Sequence, residues 1–185
     1  MGRILLAGFL GGVAMFMMMS IFHMSPVAQI GFSMMKNDAP ALSALQTATD
    51  NKPGLYIYPT VDMKSKDAMA EAEAVRKTNP SGILIYQAPG APGMTPKLLV
   101  TEFAVEIVQS LIASMLLAMT AIAVYGARVG FVVLVGLVSA ITTNISYWNW
   151  YSFPASYTLA NMGIELASFL AAGLVIAALI KPRTA

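Results

Sequence analysis

Four stretches of this chain are apolar over a length that suits a hydrocarbon core. The first runs from Ile4 to Phe22, and the second is uncharged from Ile107 to Tyr125. The third runs from Val129 to about Ile145, and the fourth from Ser156 to Ile180, closed by Lys181-Pro-Arg. At 1.5 Å per residue, about 20 such residues cross a bilayer core of about 30 Å. The pattern therefore predicts four spans, roughly 4–24, Lys97 to Tyr125, 129–145 and 156–180. Two of them carry polar residues at helical spacing. Glu102, Glu106 and Gln109 lie four and seven apart, so they share one face of the second span. Asn161, Glu165 and Ser168, at spacings of four and three, do the same on the fourth.

The sequence between the first two spans has another rhythm. Pro26 follows His23-Met-Ser, where a kink would let the first helix run on to Met35. Ala41 to Thr49 predicts a short helix, and Asp50-Asn-Lys-Pro-Gly a turn. Leu55-Tyr-Ile-Tyr and Ile83-Leu-Ile-Tyr predict strands on either side of a helix over Lys64 to Lys77. That helix has Asp67 and Glu71 early and Arg76 and Lys77 late, which suits its dipole. Strand, helix and strand predict a small βαβ unit with right-handed parallel pairing. Two strands are marginal alone, so such a unit needs support from the spans or a partner. Tyr125-Gly-Ala-Arg-Val-Gly reads as a tight turn between the second and third spans. Tyr147-Trp-Asn-Trp-Tyr-Ser-Phe-Pro, between the third and fourth, reads as an interfacial aromatic belt, the alternative being a stacking platform for a quinone, pigment or lipid head.

Composition agrees. The 185 residues are 57% apolar and 11% charged, against about 25% charged in soluble domains. The net charge of +2 gives no argument for nucleic acid. With no cysteine, disulfides, thiolate metal sites and thiol catalysis are excluded. The expected organisation is an all-α membrane protein, a four-transmembrane-helix bundle with a small α/β extracytoplasmic insert between helices 1 and 2. Residues 1–35 form the first span and its extension, 36–97 the cap, and 98–181 the other spans. The first span is expected to stay uncleaved. It is long for a signal core, and the best cleavage position, before Gln29, has Pro26 at −3. Leu6 stands where N-myristoylation needs Ser or Thr. Arg3, Arg128, Lys181 and Arg183 mark both termini and the turn before the third span, so both termini are expected in the cytoplasm. The seven Lys and Arg of 36–97 do not oppose this, because long loops translocate largely regardless of charge.

So oriented, the polar residues gather toward the outer side. Glu165 lies about 14 Å along its helix from Ser156, near mid-bilayer. A charge there costs about 2.5–3.5 kcal/mol on insertion scales, so it must face the bundle interior, a cavity or a partner. One reading is a carboxylate that handles protons or cations together with Asn161 and Asn144. The plainer reading is interhelical hydrogen bonding. His23, Glu102 and Glu106 could ligate a divalent metal. The plainer reading there is a solvated face at the membrane edge. Met15, Met17, Met18, Met19, Met24, Met34 and Met35 raise copper, but they point in several directions and read as apolar filler. A haem could be held only through His23 and a methionine, since one histidine cannot supply a pair. Hydrolase, phosphate-loop and dinucleotide motifs are absent.

His23-Met-Ser-Pro, Gly54-Leu-Tyr-Ile-Tyr-Pro, Ala88-Pro-Gly and Thr101-Glu-Phe together resemble a group of small uncharacterised bacterial inner-membrane proteins with four transmembrane helices and a periplasmic insert. The resemblance implies that architecture and location and no activity. The leading expectation is a non-catalytic integral membrane subunit or accessory protein of a larger complex. It would meet a membrane-protein partner or further copies of itself through its cap and through small-residue stripes, Gly8/Gly12 and Gly163/Ala167/Ala171. The alternatives are a small ion, metal or proton carrier using the polar cluster, and a redox subunit binding haem or quinone.

Overall fold

The long helices form where the apolar runs lack internal breakers, and each end has a local cause. In the computed structural model, which describes residues 1–62 and 64–181, helix α1 covers Gly2–His23. It does not run on to Met35. The Ser25 hydroxyl donates to the Phe22 carbonyl at 2.7 Å and accepts from the Val27 N–H, and a short 3₁₀ turn covers Pro26–Gln29. A proline at 26 would clash with the Phe22 carbonyl in a continuing helix, so the chain leaves the helix instead.

Residues 33–93 form one compact unit. Helix α2 (Ala39–Thr49) ends on left-handed Asp50, with Asn51 also at positive φ. Strand β1 (Gly54–Tyr58), helix α3 (Ala68–Thr78) and strand β2 (Gly82–Tyr86) follow. The strands pair antiparallel, Gly54 opposite Tyr86 and Tyr58 opposite Gly82, which corrects the parallel expectation. The helix begins at Ala68 and not at Lys64, and strand β2 starts at the Tyr58 end of the sheet, where Gly82 pairs with it. An isolated ladder is also firmer antiparallel than parallel. Tyr86 donates to the Asn51 side chain at 3.0 Å, and Tyr56 to the Lys52 carbonyl at 2.8 Å, fastening the turn to the sheet.

The second unit comprises residues 1–32 with 94 onward. Helix α4 (Pro96–Ala118) opens with Thr95 as its N-cap, whose hydroxyl accepts from the Leu98 N–H, and with proline at the first position. It stops well before Tyr125. Thr120 turns its hydroxyl onto the Leu117 carbonyl at 2.8 Å, and 119–124 is not helical. Tyr125 starts helix α5 (Tyr125–Ala140), so the residues expected as a tight turn are its first turns. Arg128 donates to the Ala123 carbonyl at 2.8 Å and to Ala177 at 3.0 Å. The second bond serves a carbonyl left without an intrahelical partner near the end of helix α7 (Ala155–Leu179). A π-helical segment, Ile141–Ile145, joins α5 to helix α6 (Ser146–Tyr151) without a break. The aromatic residues expected in a loop are therefore helical as far as Tyr151, and left-handed Ser152 ends the run.

Among the described residues, α1, α4, the continuous Tyr125–Tyr151 stretch and α7 are long and apolar enough to cross a membrane, and the chain is a membrane protein on that ground. α1 packs on α4 and α7, and α5 packs on α7. Their shared core holds Ala7, Met15, Leu117, Val132, Phe169 and Ile176. Glycines bring α1 against α4. A methyl group on Gly12 would lie 2.7 Å from the Ile107 Cα, and one on Gly8 would lie 2.8 Å from the Leu111 Cα. The small pair thus serves packing within the chain. Gly163, by contrast, has open space around it.

Candidate functional site

A cavity of about 270 Å³ lies among α1, α4, the π segment with α6, and α7. Each wall follows from helical spacing. Met15, Met19 and His23 come from successive turns of α1, and Glu102, Glu106 and Gln109 from one face of α4. Thr143, Asn144 and Tyr147 come from the π segment and α6. Tyr157, Asn161, Ile164, Glu165, Ser168 and Phe169 come from α7. All six residues singled out in the sequence, His23, Glu102, Glu106, Asn144, Asn161 and Glu165, line this one space.

The mouth and the floor differ. His23, Glu102, Thr143 and Tyr147 are exposed, whereas Met15, Glu106, Asn144, Ser168 and Phe169 are buried. Glu106 and Glu165 each lie ten residues, about 15 Å, past the start of their helices, which puts both near mid-helix. Glu106 is only 2% exposed, so it does not belong to a solvated face, and its Oε2 finds no hydrogen-bond donor among the described residues. Glu165 accepts from Asn144 Nδ2 at 3.3 Å, and the same amide donates to the Ala140 carbonyl at 3.0 Å. The π segment thus presents Asn144 to α7, a use in keeping with the frequent occurrence of π-bulges at functional sites. Asn161 donates to the Tyr157 carbonyl at 2.9 Å, which orients its amide.

His23 Nδ1 lies 3.0 Å from the Met19 carbonyl. A carbonyl only accepts, so Nδ1 carries a proton there. His23, Glu102 and Glu106 share the cavity, but among the described residues no three His, Asp or Glu side chains stand close enough together to hold a metal ion. The methionines disperse as their spacing implied: Met15 and Met19 face the cavity, while Met17, Met24, Met34 and Met35 are exposed.

Several wall residues escaped the sequence reading. Tyr157 and Phe169 sit on the same α7 face as Asn161 and Glu165, whereas Tyr147 opens the aromatic run already singled out as a belt or stacking platform. Ser110 and Ser114 are not among the lining residues, but they continue the Glu106 row at spacings of four. Both are fully buried, and their hydroxyls have no partner among the described residues. Ser168, by contrast, donates to the Ile164 carbonyl at 3.0 Å. The spacing of 106, 110 and 114 was the available signal. Chemically, the cavity offers three carboxyl groups, and among its described lining residues there is neither lysine nor arginine. Its complement is a positive charge. No family model, curated protein or solved structure matches this chain.

Proposed function

We propose that the protein is a small cation- or proton-handling carrier whose working site is this cavity. It would be a four-helix bundle of a bacterial inner membrane, with both termini cytoplasmic and residues 36–97 on the far side. Arg3, Arg128 and Lys181 support that orientation, and Arg183 lies outside the described residues. The observation that carries the functional reading is Glu106, a carboxyl almost wholly buried in the middle of a long apolar helix, without a donor among the described residues, beside a cavity that also holds Glu165. Such a group is expensive in a membrane and is ordinarily kept for an ion or proton route.

A second reading, the accessory subunit, is favoured by the sheet of the 33–93 unit. Leu55, Ile57 and Ile85 lie on one of its faces and are 72%, 65% and 73% exposed. One experiment separates the two. The purified chain alone is reconstituted into vesicles, and proton and cation flux is followed with indicator dyes. The carrier reading expects flux that Glu165→Gln abolishes while thermal stability in detergent is kept. Flux unchanged by Glu165→Gln sinks the role of that residue. No flux from the chain alone favours the accessory subunit.

A further inference from the structure

We infer that the cavity is built for a small organic cation, an ammonium group on a short apolar body. The inference rests on the cation-handling role proposed above and names its ligand class.

Charge comes first. Glu102, Glu106 and Glu165 line the space with no lysine or arginine among the described wall residues, and Glu106 Oε2 at its floor is buried with no donor among the described residues. A bound N–H or alkylammonium group supplies what that oxygen lacks. Size and convergence come second. A desolvated metal ion wants several ligands drawn onto one point, and no such group of His, Asp or Glu exists among the described residues. The volume of about 270 Å³ lies near the small end of pockets that take organic ligands, about 300–1,000 Å³. The walls come third. Tyr147, Tyr157 and Phe169 offer ring surface and Met15 and Met19 offer thioethers. Aromatic faces attract ammonium groups, and polarisable side chains suit methylenes and methyls. A bare proton would use none of this. The aromatic wall is also braced: the Tyr157 ring lies 5.4 Å from Phe32 and 5.2 Å from Phe153, and Phe153 stacks on Tyr147 at 5.5 Å.

An ammonium group can arrive on a free amine or on the headgroup of an amine lipid, and the test distinguishes them. Full-length protein in lipid-free detergent is titrated with 1,4-diaminobutane, tetramethylammonium and zinc chloride by calorimetry. Binding to phosphatidylglycerol vesicles with and without added phosphatidylethanolamine is measured in parallel. The inference expects saturable binding of an ammonium probe, weakened about tenfold or more by Glu106→Gln. Tyr157→Leu should weaken it too, while Tyr157→Phe keeps it. Binding of the soluble amines identifies a free amine. A Glu106-dependent gain confined to vesicles with phosphatidylethanolamine identifies the headgroup. Should Glu106→Gln fail to fold, Glu165→Gln takes its place. Zinc binding tighter than every ammonium probe, or ammonium binding indifferent to both substitutions, overturns the inference. If no ammonium probe binds while Glu165-dependent proton flux persists, this inference fails and the carrier reading stands. If both are missing, both fail.

Discussion

Gly12→Leu is expected to abolish the close α1–α4 contact and with it the folded, monodisperse protein. Even one methyl group at Gly12 would fall 2.7 Å from the Ile107 Cα and 3.0 Å from the Glu106 carbonyl oxygen. Those atoms are helix backbone and cannot turn aside as a side-chain end can. Overpacking ordinarily costs about 1–3 kcal/mol, and here the whole helix must retreat, so the loss belongs at or beyond the upper figure. The displaced segment carries Glu106, so the cavity is disturbed as well. Gly163→Leu is the matching control, because nothing lies within 4 Å of that glycine. Thermal unfolding and size-exclusion profiles in detergent should separate the two sharply. Equal tolerance of both substitutions would refute the packing.

Glu106→Met should act in the opposite direction on stability. The side chains are similar in size, but the replacement removes a buried carboxyl whose Oε2 has no donor among the described residues. Leaving such a group unsatisfied costs about 1–3 kcal/mol, and this is the expected gain in stability. Cation binding and flux should disappear in the same variant, the pattern of a residue kept for function against the interest of the fold. Glu165→Met should gain less, because it also forfeits the 3.3 Å bond from Asn144. A lower melting temperature for Glu106→Met would mean that Glu106 holds helices together, and its functional role would lapse.

The four long helices were readable because oil imposes a simple rule, about 20 apolar residues per crossing. The polar stripes were readable for the same reason. A carboxyl at Glu165 needs an inward face, and helical spacing names its companions Asn161 and Ser168. Other features depended on competition between nearly equal choices. Whether Pro26 kinks or ends α1 turns on the Ser25 hydroxyl, which provides an exit at Phe22. The end of α4 before Met119 and the start of α5 at Tyr125 lie inside an apolar run, where hydropathy is blind to a break. The π segment at Ile141–Ile145 has no periodic signature, yet it is what presents Asn144 to Glu165. Strand direction in the 33–93 unit was misjudged because two five-residue strands and an intervening helix satisfy either pairing. The burial of Glu106 was misjudged as well, since charge at the head of a span suggests water, whereas α1 packs over it through Gly12.

Water-accessible space lies between the helices at the depth of the buried carboxyls. The natural absence of cysteine allows a direct test. Gln109 lines the cavity, and its neighbour Val108, at the same depth, is 55% exposed on the outer surface of the helices. Single-cysteine variants at the two positions, in permeabilised native membranes, are treated with a water-soluble maleimide, which needs a hydrated thiolate to react. Gln109→Cys should label and Val108→Cys should stay unreacted in lipid; labelling of Val108→Cys with Gln109→Cys silent would show that no water reaches the space between the helices.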